Sequence, residues 1–286
     1  SGPSRVTVVD GRISEVRAGS DAGPSDGKIV DHSGAVLAPG MVDVLSGLGV
    51  IRRSSHVERV RSIDPDLNIR EAIDQKHDDF RAALKSGVTA ALVVPAGNNV
   101  IDGAAQAVRL TGGGQIEWLR EPGPLMFCVG QGVLEATREP TGMIGAVHLL
   151  REALAAAKDS KASPRVNAYV KSAIDGLLTC DEEQEVIAAA RVFAEAGRLP
   201  LLAWTPLEAS AAIELVKPFP DPLIIGPFTF DSPARVLRGP GVLQQAGREL
   251  AFAGALPVLP GGSMRISAAL AVRYGMDAAA ARRAMT

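Results

Sequence analysis

From residue 41 onward the chain repeats one pattern, a short and nearly continuous apolar run followed by a longer stretch with helical spacing. The apolar runs fall at 41–45, 88–94, 125–129, 199–203, 223–225 and 249–252. The helix-like stretches between and after them are 69–86, 143–158, 181–196, 207–217 and 266–274. Acidic Asp181, Glu182 and Glu183 stand where a helix start favours negative charge, and Gly197 stands where a helix end favours glycine. Strands that are apolar throughout and alternate with helices belong to a parallel sheet covered on both faces. An open doubly wound sheet and a closed barrel both meet this pattern, so it constrains the fold class to α/β.

Residues 5–38 read differently. Val6 to Val9, the turn Asp10-Gly11, and the alternating run Arg12-Ile13-Ser14-Glu15-Val16 have the composition of a β-hairpin. After a Gly/Pro/Ser/Asp loop, 28–31 and 35–37 suggest two more short strands. So small a β unit has to pair with something else to be stable. The organisation expected is therefore a β unit over 1–40 and an α/β unit over 41–286.

Composition narrows the function classes. The 286 residues are 47% hydrophobic, enough for one large core. A net charge of −2 with 22% charged residues leaves no basic footprint for nucleic acid. The longest apolar runs, such as 88–94, are far shorter than a membrane span. No signal peptide is visible, although the chain begins at Ser1 rather than Met. Cys128 and Cys180 lack C-x-x-C spacing and read as buried thiols in a reducing compartment, which favours the cytoplasm.

Several segments occur in an order that resembles the metal-dependent amidohydrolase superfamily, in its imidazolonepropionase-like branch. Val8-Val9-Asp10-Gly11-Arg12-Ile13 is similar to that family's early hairpin, and Ala38-Pro39-Gly40-Met41-Val42-Asp43 to its first barrel strand. Ala82 to Thr89 resembles the helix leading to the second strand, and Asn99-Val100-Ile101-Asp102-Gly103 the loop after it. Residues 143–154 and 268–286 resemble later helices. The resemblance implies a TIM-like (β/α) barrel beside a partial composite β-sandwich at the N-terminus.

The same alignment exposes four departures at the family's metal-ligand positions. The first-strand His-x-His falls on Leu45 and Gly47, a His-rich strand falls near Trp204, and the last-strand aspartate falls at about Ala255. Only a short segment separates Trp204 from Leu223, too little for one of the family's βα units, so one unit is expected to be missing. In this family Zn or another divalent metal lowers the pKa of a bound water from about 16 to about 7. Leucine, glycine, tryptophan and alanine offer no side-chain donor for such an ion. No cofactor is therefore expected.

Substitutes are few. His32, His56, His77 and His148 share no ligand spacing and read as surface or structural residues. Thr111 to Gly114 and Pro260 to Ser263 lack the Lys-Ser/Thr of a phosphate loop, Gly130-Gln131-Gly132 alone is weak evidence for a dinucleotide, and no Gly-x-Ser-x-Gly occurs. Asp43 remains as a candidate catalytic carboxylate, with a buried hydrogen-bonded role as the plainer reading. The resemblance with its departures implies a family member that has lost metal binding and hydrolase activity and keeps a binding or scaffolding role. The alternative is an active amidohydrolase cleaving C–N bonds of a cyclic amide or related small molecule, with a ligand set assembled elsewhere or metal-free acid–base work by residues such as Asp43, Asp102 and Glu135. A third is a pocket that binds a small molecule without turnover. The family's closing strands do not follow Thr286, which leaves two expectations open: the sequence is a fragment, or a second copy or a partner chain completes the β unit.

Overall fold

The computed structural model describes residues 4–19, 27–32, 34–50, 57–159 and 161–286. It divides into two compact units, Ser1–Pro39 and Gly40–Thr286. In the first, β1 (Ser4–Val9) and β2 (Arg12–Ala18) form an antiparallel hairpin about Asp10 and Gly11, both at positive φ. Cross-strand pairs Val6↔Val16 and Val8↔Ile13 give the hairpin one apolar face, while Arg5↔Arg17 and Thr7↔Glu15 lie on the other. An irregularity between Thr7 and Val8 lets Ile13 and Val16, three positions apart, share that face. The strands expected at 28–31 and 35–37 do not form. Among the described residues of this unit no ladder reaches them, and Ile29, Val30, Val36 and Leu37 are exposed.

The second unit holds the α/β pattern. Its parallel strands are β3 (Met41–Ser46), β4 (Val88–Val93), β8 (Leu125–Val129), β9 (Gly176–Cys180), β10 (Leu201–Ala203), β11 (Leu223–Ile225) and β12 (Leu250–Phe252). Strands β8 to β12 form one parallel run in chain order, and β3 pairs in parallel with β4. Between β4 and β8 the chain inserts β5 (Ile101–Ala104), antiparallel to β8, and a hairpin of β6 (Gln106–Thr111) and β7 (Gln115–Arg120) on the edge of β4. These three strands and β9 were not legible in the sequence. The Gly-rich run Gly112 to Gly114 is the turn of that hairpin.

The helices are α1 (Asp78–Lys85), α2 (Met143–Lys158), α3 (Pro164–Val170), α4 (Glu183–Ala196), α5 (Ala209–Val216), α6 (Ala234–Gln245), α7 (Ser263–Arg273) and α8 (Ala278–Arg283). The helix expected over 69–86 is a short 3-10 turn at Ile69–Ala72 and then α1, which is capped by His77. Glu182 and Glu185 form a capping box at the start of α4, and Gly197 ends it in the left-handed region. Between β10 and β11 there is room for α5 alone. Helix α6 hid behind Gly239-Pro240-Gly241, residues that oppose a helix interior by propensity. Tertiary packing explains Gly241, because a Cβ there would stand 2.8 Å from the Gly275 carbonyl carbon. No helix among the described residues is long and apolar enough to cross a membrane.

Two apolar layers result from the strand period of two. An inner cluster draws Val44, Leu45, Leu92, Val94, Met126 and Leu177, with Ala203, Ile224, Ala251 and Ala253, from all seven parallel strands. An outer cluster packs the other face against the helices. It centres on Phe127, whose ring lies 4.8 Å from Tyr169 and 5.0 Å from Phe193.

Candidate functional site at the C-terminal ends of the strands

Ligand and catalytic groups in a parallel α/β sheet gather where the strands end. In this unit that region divides into a clasp at β3 and β12 and a polar network built from β5 and the loops after β3, β4 and β8.

Asp43 makes the clasp. Its side chain is fully buried, and Oδ1 accepts the amides of Gly254 at 2.8 Å and Leu45 at 3.2 Å, while Oδ2 accepts that of Leu256 at 3.0 Å. Strand β3 has no ladder with β12, so this carboxylate, with Gly47 N–H to Leu256 C=O at 2.6 Å, joins the two. Burial raises the Asp43 pKa above the usual carboxylate range, and the backbone amides pull it back down. All its acceptor capacity is turned toward main chain, which is the arrangement of a structural carboxylate.

The four positions that the sequence resemblance aligned with metal ligands are equally committed. Leu45 belongs to the inner apolar cluster, and Gly47 lies under Leu256 and Pro257. Trp204 is buried in the outer cluster against the helices, whereas its neighbour Ala203 faces the inner one. Ala255 carries its backbone at φ 52° in the turn after β12. These side chains supply neither nitrogen nor oxygen inside the mouth, so they do not fit a divalent metal. Among the described residues no group of three or more His, Cys, Asp or Glu is placed to hold one.

The polar network centres on Asp102, which is 2% exposed. Its Oδ2 accepts the amides of Gly97 at 2.7 Å and Asn98 at 3.0 Å, and its Oδ1 accepts Asn99 Nδ2 at 2.8 Å. Asn99 Oδ1 in turn accepts Arg138 Nη1 at 2.6 Å, so an asparagine amide links the guanidinium to the carboxylate. Arg138 also donates to the Arg61 and Asn98 carbonyls, both at 2.9 Å, tying three loops together. Burial pushes the Asp102 pKa up to about 6 despite these donors. Asn98 Oδ1 and Arg138 Nε are buried there without a partner. Sequence reading singled out Asp102 alone. The pair Asn98-Asn99 before an apolar strand was the available signal, whereas Arg138, 36 residues further on, carried none.

Remaining candidates are spent elsewhere. Glu135 forms an ion pair with Arg59 at 2.9 Å, and Glu185 accepts the Asp181 and Glu182 amides. Cys128 Sγ lies 3.1 Å from Thr179 Oγ1, and burial with nearby Asp102 pushes its thiol up to about 12. Such a thiol is a poor nucleophile. His77 caps α1 and sits 3.0 Å from Asp79, His148 pairs with Glu152 on the exposed side of α2, and His32 is exposed in the first unit. His56 lies outside the described residues.

No protein-family model matches the sequence, and no curated protein matches it. Among solved structures, an amidohydrolase from Thermotoga maritima MSB8 superposes with a TM-score of 0.84 at 19% identity, covering 98% of this chain and 82% of that one. At that identity the likeness establishes the fold, an amidohydrolase-type mixed α/β architecture.

Proposed function

We propose that this chain is an amidohydrolase-like barrel that does not carry out metal-dependent hydrolysis and acts by binding or scaffolding. One observation supports the reading: Leu45 and Trp204, which the resemblance aligns with metal ligands together with Gly47 and Ala255, are packed in apolar clusters. No ordinary side chain lowers the pKa of water as a bound metal does, so substitution at all four positions together removes the nucleophile that such a fold relies on. The buried carboxylates fit the same reading, since Asp43 and Asp102 point their oxygens at main-chain and amide N–H groups. Elemental analysis of protein produced in metal-supplemented medium tests it, with metal expected well below one equivalent. Near-stoichiometric Zn, Mn or Fe together with turnover would overturn it.

A second reading rests on Asp102, whose pKa of about 6 suits a general acid or base near neutrality. It makes the chain an active amidohydrolase on C–N bonds of a cyclic amide, working without a metal. A panel of hydantoin, dihydropyrimidine and imidazolone substrates separates the two readings. Turnover that is lost in Asp102→Asn would favour this second one.

A further inference from the structure

At the N-terminal ends of the strands, away from the candidate site, a cavity of about 460 Å³ opens between β3 and β12. Each of these strands has a ladder partner on one side only. The Asp43 clasp draws them together toward their C-terminal ends. Nearer the other end the chain after α8 lies between them, with Val42 N–H to Met285 C=O and Phe252 N–H to Ala284 C=O, both at 2.8 Å. The wedge leaves a space whose apolar lining includes Val44, Ala251, Met276 and Met285. Its size falls within the range of small-molecule sites, about 300–1,000 Å³.

The charged groups at the edge choose the ligand. Arg248 is occupied, with Nε on Asp221 at 2.8 Å and Nη2 on the Phe219 carbonyl at 2.8 Å. Glu249 and Arg283 also line the cavity, and neither forms an ion pair among the described residues. An apolar lining with Glu249 and Arg283, neither in an ion pair among the described residues, complements a molecule carrying both charges and an apolar body. We propose that this cavity binds a free α-amino acid with a side chain of the size of leucine, methionine or phenylalanine. The apolar side chain enters toward Val44 and Ala251, Arg283 receives the carboxylate and Glu249 the ammonium group. A purely anionic or cationic ligand leaves one of the two rim charges without a partner. This site is independent of what the opposite end of the strands does.

Isothermal titration calorimetry of the full chain with L-leucine, L-methionine and L-phenylalanine tests the proposal, supported by thermal shift, since a native-state ligand raises apparent stability. At least one of the three is expected to bind. Its two counterparts, the amine lacking the carboxylate and the acid lacking the ammonium group, are expected to bind at least about tenfold more weakly. Arg283→Gln and Glu249→Gln, both at exposed positions, should each weaken the amino acid by a similar factor. Ala251→Phe should abolish binding by filling the cavity, with circular dichroism as the check that it folds. Absence of binding by all three amino acids at millimolar concentration would overturn the proposal. So would equal binding of the singly charged counterparts, or undiminished binding in the Arg283→Gln variant.

Discussion

The Asp43 carboxylate accepts the Gly254 amide at 2.8 Å across 211 positions of chain and joins β3 to the segment after β12 without a β-ladder. The approach is close enough that a Cβ on residue 254 would stand 2.7 Å from Asp43 Oδ2. Gly254→Ala should therefore destabilise the protein by about 1–3 kcal/mol through overpacking. Asp43→Asn exchanges one accepting oxygen for a donor facing a buried amide and should cost about the same. Urea unfolding of both variants measures this. Wild-type stability in either would remove the clasp from its structural role.

Stability should depend on pH through Asp102. Its folded pKa of about 6 lies above the ordinary 3.8, so the folded state holds this proton more tightly than the unfolded chain. The contribution is full below about pH 4, falls as pH rises toward 6, and is flat above. The span corresponds to roughly 3 kcal/mol at most. Subtracting the stability–pH curve of Asp102→Asn from that of wild type isolates the effect, and a difference curve rising with pH would contradict it.

Arg138 should hold together the loops after β3, β4 and β8. Arg138→Met leaves Asn99 Oδ1 and the carbonyls of Arg61 and Asn98 without their charged donor, a loss of about 2–3 kcal/mol. Hydrogen exchange should show faster exchange at the Gly97 and Asn98 amides, the two that bond to Asp102, while β10 to β12 keep their protection.

Cys128 and Cys180 should resist alkylation in the native protein. Both are buried, and burial raises the pKa of each. Intact-mass analysis after iodoacetamide at pH 8 should show no adduct unless denaturant is present. Rapid native labelling would mean the outer core opens readily.

Trp204 should behave as a packing residue. Removing a buried indole leaves a cavity, so Trp204→Ala should cost about 3–5 kcal/mol. Trp204→His should lose stability as well and gain no metal, since the residue is buried in the outer apolar cluster. Metal retention by Trp204→His would place the residue inside the mouth instead.

Much of the second unit was readable from local pattern. The runs at 125–129 and 223–225 are β8 and β11 residue for residue, and 143–158 is α2, because uninterrupted apolar runs and a long amphipathic stretch carry strong periods. Strand β9 escaped because Gly176 and Thr179 break up the apolar run Gly176 to Cys180, which sits against a helix start. Strands β6 and β7 escaped because Arg109, Glu117 and Arg120 give them the polarity of a loop. The two further N-terminal strands failed for the opposite reason: 28–31 and 35–37 have strand composition, and no described neighbour offers them a ladder.

Local composition and order determined the α/β class, most helix positions, and the apolar or side-chain-free identity of Leu45, Gly47, Trp204 and Ala255. Tertiary structure alone decided what those positions and Asp43 do. A side chain's identity says whether it can donate or coordinate, which is a local property. Whether Asp43 is a free base or a clasp depends on amides 211 and 213 residues away, and whether Trp204 lines a mouth or an outer core depends on which face of β10 it occupies. Sequence spacing carries no record of such distances, because the fold brings those groups together only when its strands close in space.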